Sequence, residues 1–157
     1  MKQDLNRVQL PILNLPPFEP KLQEIDGKLG IFDSLRKKYL ILTPEEWVRQ
    51  HWINYLIHHL SFPKGLVALE KGLTYNQLQK RTDLVVWNNE GNPYLLIECK
   101  APQIKLSQKT MEQACLYHQE IKSKFLIISN GQQHVSLEWN ADEKKFIQLK
   151  HFPSTPN

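Results

Sequence analysis

Asp83, Glu98 and Lys100, near the middle of the chain, are residue types that hold a divalent cation and serve a water at a phosphate. Asp83 lies in TDLVVW (82–87), and Glu98 and Lys100 lie in YLLIECK (94–100). The two apolar runs are separated by Asn88-Asn89-Glu90-Gly91-Asn92-Pro93, a turn by composition. Centring a hairpin on that turn sets Asp83 opposite Glu98. Directly opposed residues of an antiparallel pair share a face, with Cβ atoms roughly 5 Å apart. Alternation with period two adds Lys100 to that face and turns Cys99 away. The carboxylates and the ammonium are then expected among Val85, Trp87, Leu96 and Ile97. Like charges in such surroundings are costly unless a cation joins them. A hard ion such as Mg2+, which takes few carboxylates and keeps several waters, resolves the conflict. Lys100 could then hold or deprotonate a water beside a scissile phosphate. The competing reading is a buried ion triad, Asp83–Lys100–Glu98, that only fixes strand register.

Two helices must flank this hairpin. Thr43-Pro44-Glu45-Glu46 reads as a helix start, with a hydroxyl cap, a proline at the first helical position and acids at the positive end of the dipole. The helix is expected to run to about His59, before Ser61-Phe62-Pro63-Lys64-Gly65. At about 100° per residue, Val48, Trp52, Tyr55, Leu56 and Leu60 form one apolar face. Glu45 falls near its middle and Glu46 on its flank. Either Glu45 reaches a metal at the sheet edge, or it satisfies free backbone donors at the helix start. A second helix is expected from Ser107 to Lys122, with Met111, Ala114, Tyr117 and Ile121 on its apolar stripe. Gln113 and Tyr117, four apart, adjoin on one face. They either orient Lys100 or a substrate phosphate, or are a core-edge amide and aromatic.

The rest of the chain supplies the frame. Pro11, Pro16, Pro17 and Pro20 keep residues 1–26 extended, as an arm lying over the body or frayed from it. Residues 28–42 suggest a short strand pair around a basic patch, and 66–73, 125–131, 134–139 and 145–150 read as strands. The strand–helix–strand unit from 94 to 129 should be a parallel, right-handed crossover. The expected body is one α/β domain over 27–152, a mixed central sheet flanked by helices, with a tail over 153–157. At 157 residues, 41% hydrophobic and 23% charged, a disordered or fibrous chain is excluded. Two cysteines cannot build a disulfide framework or a zinc cage. No apolar run is long enough to span a bilayer and the start lacks a signal peptide's apolar core, so a soluble, cytoplasmic protein is expected. A net charge of +4 permits a polyanionic partner. Arg36, Lys37, Lys80, Arg81 and Lys105 are candidate phosphate contacts, against the plainer reading of a solvated charged face. The six histidines show no metal spacing and read as ordinary helix or loop residues.

The helix acid, Asp83, Glu98-Cys99-Lys100 and Gln113-Ala-Cys-Leu-Tyr117, in that order, resemble the PD-(D/E)XK nuclease superfamily in its Q-x-x-x-Y branch. More closely, LTPEEWVRQHW, RTDLVVW, LLIECKAP and ISNG, over residues 28–135, resemble the N-terminal nuclease domain of type I restriction enzyme R subunits. The resemblance implies a restriction-endonuclease-like fold and phosphodiester hydrolysis of DNA. It also implies Mg2+ (with Mn2+ able to substitute) held by Asp83, Glu98, the Cys99 carbonyl and Glu45, or Glu46 in its place. Lys100 would serve the attacking water, with Gln113 and Tyr117 in support. Thr82-Asp83 stands where the family has proline-aspartate, which leaves the acid intact. No G-x-x-x-x-G-K-[ST] loop is present, so no motor is expected here. Implied partners are DNA and the specificity or motor subunits of a restriction system, or a second copy of the chain. The alternative function is a nuclease-fold nucleic-acid-binding or assembly module with little catalysis of its own.

Overall fold

The computed structural model describes residues 10–69, 84–119 and 121–156. A six-stranded mixed sheet carries the body. Its strands are β4 (Val67–Ala68), β5 (Leu84–Trp87), β6 (Pro93–Cys99), β7 (Phe125–Ser129), β8 (His134–Asn140) and β9 (Lys145–Leu149), in that spatial order. Only β6 and β7 pair in parallel, joined by helix α2 (Gln108–Gln119); the other neighbours are antiparallel. A separate antiparallel meander is formed by β1 (Leu22–Ile25), β2 (Lys28–Asp33) and β3 (Lys38–Ile41), so the strand pair expected over 28–42 gains a third member. The architecture is the expected α/β one, a mixed sheet flanked by helices, consistent with a restriction-endonuclease-like fold.

The hairpin register follows from its turn. Asn88 Oδ1 accepts from the Glu90 and Asn92 amides, and Gly91 takes a φ of 80°. Leu84 then pairs with Ile97, Val85 with Leu96 and Val86 with Leu95, the register expected from the sequence. A bulge between Val86 and Trp87 sets Trp87 opposite Pro93. Asp83 and Thr82 lie outside the described residues.

Side-chain alternation divides the core in two. Leu84, Val86, Leu95, Ile97, Cys99, Phe125 and Ile127 pack against helix α1 (Pro44–His58). Val85, Leu96, Leu126 and Ile128 pack against Ala114 of α2 and Ile121 beyond it. Ile97 therefore lies on the face opposite Leu96, correcting its expected place beside the carboxylates. The two clusters sandwich the sheet, and burying each Leu or Ile contributes roughly 1.5–3 kcal/mol.

α1 starts as expected, with Thr43 Oγ1 accepting from the Glu46 amide at 3.1 Å and proline in the first turn. Its burial differs. Glu45 is exposed, whereas Glu46, Trp47, Gln50 and His51 are buried beside Val48, Trp52 and Leu56. The extra cover comes from chain segments distant in sequence. Trp47 Nε1 donates to the Pro11 carbonyl at 2.8 Å, Phe18 meets His51 edge-to-face with ring centroids 4.8 Å apart, and Gln50 Nε2 donates to Asp33 at 3.2 Å.

Two element boundaries also depart from expectation. Residues 64–66 form a 3-10 turn and β4 keeps only two residues, in place of a strand from 66; residues 70–73 lie outside the described residues. α2 is shorter than 107–122 because Ser107 caps it, accepting from the Thr110 amide, and Lys122 takes a left-handed φ of 59°.

Candidate active site

Glu98 occupies the end of β6, opposite Ile128 of the parallel neighbour β7, and its side chain points to the α2 side of the sheet. Lys100 follows it, anchored by its amide, which donates to the Ser129 carbonyl at 2.7 Å. Lys100 Nζ lies 3.3 Å from Glu98 Oε1, with the lysine side chain one-third exposed and the glutamate 19% exposed. His118 of α2, fully buried, brings Nε2 to 3.5 Å from Glu98 Oε2. At that distance the pair sits at the outer limit of hydrogen bonding. Burial pushes the Glu98 carboxyl up, but His118 and Lys100 together pull it further down, so it lies below the usual 4.5. Glu98 is therefore ionised at neutral pH. On the same side of α2, the Cys115 thiol is pushed up by burial and by the carboxylates of Glu98 and Glu112.

The expected pairing of Glu98 with Lys100 on one face is present. Asp83, Lys80 and Arg81 lie outside the described residues, as does the Tyr117 side chain. Gln113 is exposed on α2. Cys99 is buried on the α1 side, as alternation requires, and its carbonyl belongs to the strand end next to Lys100. Neither helix acid is drawn to Glu98. Glu45 reaches Arg49 at 3.4 Å, and Glu46 is held by Arg49 and by Gln50 Nε2, the latter at 3.1 Å. Among the described residues, no group of three or more His, Cys, Asp or Glu side chains converges into a metal cage. Lys37 and Lys105 are exposed, and Arg36 lines an open cleft with Leu35, Lys64 and Val67.

His118 was missed by the sequence reading, which set all histidines aside. The signal was available. His118 falls on the stripe Met111, Ala114, His118, Ile121, at steps of three and four, so the periodicity that locates the helix also predicts its burial.

Among the described residues no helix is long and apolar enough to cross a membrane. No curated protein matches the chain. Residues 44–153, from the first residue of α1 to beyond β9, match the family described as type I restriction enzyme R protein N terminus. That span takes in both helices and all six strands of the main sheet, with Glu98, Lys100 and His118 at the centre, and the chain belongs to that family.

Proposed function

We propose that the chain is a Mg2+-dependent DNA endonuclease domain that works within a restriction system. The observation that carries this reading is the Glu98–Lys100 contact on the family-matched sheet. It sets an ionised carboxylate and a lysine amino group, which carries several donors, side by side at a strand end. The residues fit a hard cation to this extent: Mg2+ is commonly bound through one or two carboxylates together with substrate phosphate oxygens and waters. Glu98 supplies one carboxylate, Asp83 is the second by the pairing inferred from the sequence, and the Cys99 carbonyl is a third candidate donor. Bound there, the ion would polarise the phosphate and offset charge on the leaving oxygen. Lys100 keeps one donor on Glu98 and turns the others to the attacking water and the phosphate. Gln113 and Tyr117 are proposed to support substrate from α2. Arg36, Lys37, Lys80, Arg81 and Lys105 are proposed to contact the DNA backbone, with little base readout. Glu45 and Glu46 are engaged by Arg49 and are left out of the proposed site.

Plasmid nicking by the full chain with Mg2+ or Mn2+ tests the proposal. The wild type should convert supercoiled DNA to nicked circles, and Glu98→Ala and Lys100→Ala should each lose about 100-fold or more of that rate. DNA binding with no metal-dependent cleavage would instead favour a binding or assembly module.

A further inference from the structure

A wholly buried imidazole on an apolar helix face is costly unless it meets polar atoms. His118 is 0% exposed on the α2 stripe, and its Nε2 faces Glu98 Oε2, itself buried. The other carboxylate oxygen, Oε1, faces Lys100. The two oxygens of Glu98 are thus divided between a buried partner on α2 and a partly exposed partner on its own chain segment.

We propose that His118 is a positioning residue for Glu98. By facing Oε2 from the buried side, Nε2 holds the carboxylate in one orientation and presents Oε1, beside Lys100, at the open end. A glutamate side chain has three torsions to immobilise, and a partner on one oxygen removes much of that freedom before any ligand arrives. His118 is too deeply buried to touch DNA, so it acts only through Glu98. Cys115, on the same side of α2, is a weak donor and cannot substitute. The role rests on the nuclease reading above, in which Glu98 is a metal ligand.

The test is a Mn2+ titration of the full chain, followed by the electron paramagnetic resonance signal of free Mn2+, with thermal melting and plasmid nicking measured alongside. His118→Leu removes the ring nitrogens at similar volume, and His118→Gln returns a donor of similar reach. The leucine variant should bind Mn2+ about 10- to 100-fold more weakly, whereas the glutamine variant should stay within about threefold of wild type. If the leucine variant does not fold, His118→Asn takes its place, because its shorter amide cannot reach Oε2; it should weaken binding likewise. Unchanged Mn2+ affinity in the leucine or asparagine variant, with Glu98→Ala abolishing binding, would overturn the role of His118 and leave the nuclease reading standing. Equal loss in the glutamine variant would also overturn it. A wild type that neither binds Mn2+ nor nicks DNA would overturn both.

Discussion

Carboxylates in this protein are sorted by what holds them. Glu98 is kept ionised by Lys100 and His118, with Oε1 against the partly exposed Lys100 and Oε2 against buried His118. Glu46 is enclosed by Arg49 and Gln50, and Gln50 Nε2 is shared with Asp33, whose Oδ1 accepts from the Leu35 and Arg36 amides. That second network ties α1 to the turn after β2. Glu46→Ala removes the buried carboxylate that Arg49 and Gln50 share, so we expect a loss of about 1–3 kcal/mol in urea unfolding while the folded variant still nicks DNA. Full stability with abolished cleavage would instead make Glu46 part of the site. The sequence marked an acid of this helix as needing a partner but favoured Glu45. The choice between neighbours depended on cover from Asp33, Pro11 and Phe18, which a helical wheel drawn from α1 alone does not contain.

Some elements are specified by their own residues and others by distant contacts. The start of α1 and the β5–β6 register were legible because Thr43-Pro44 and Asn88–Pro93 carry their own hydrogen bonds. The bulge at Trp87 and the strand β1 were not, since each depends on pairing rather than on its own residues. The β7–β8 turn shows how such distant contacts act. Gly131 has a φ of 86°, and a Cβ there would lie 2.9 Å from a Leu13 methyl and 3.1 Å from Val48. Gly131→Ala therefore meets strain and crowding together, and we expect a destabilisation of about 1–3 kcal/mol, read from the thermal midpoint. An unchanged midpoint would mean that Leu13 is not seated as described.

Across the whole molecule, residues 10–18 are bound over the body. Asn14 donates to the Gly131 carbonyl, Gln132 Nε2 donates to the Ile12 carbonyl, and His134 Nε2 donates to the Asn14 carbonyl at 2.8 Å. His134 Nδ1 meets Ser129 Oγ at 2.7 Å, and the Ser129 carbonyl receives the Lys100 amide, so the arm is linked to the site strand. Burial lowers the pKa of His134 against the opposing pull of the Asn14 carbonyl, and lowers that of His51 against the Trp47 carbonyl. Both folded values then lie below the ordinary 6.5, so below that pH the unfolded chain binds protons that the native state refuses. Stability contributed by these rings is complete above 6.5 and falls as pH drops toward the folded values. Protection of the residue 10–18 amides, taken relative to the intrinsic exchange rate at each pH, should accordingly fall and proteolysis there quicken as pH drops below 6.5, and less so in His134→Gln. A flat profile would remove the two histidines as anchors. Whether Glu98 beside Lys100 is a metal-binding carboxylate of a nuclease can be read from anomalous scattering by a Mn2+-soaked crystal. A peak about 2.2 Å from Glu98 Oε1 that also touches Asp83 is expected. Absence of any peak there at saturating Mn2+, with Glu98 still resting on Lys100 and His118, would contradict it.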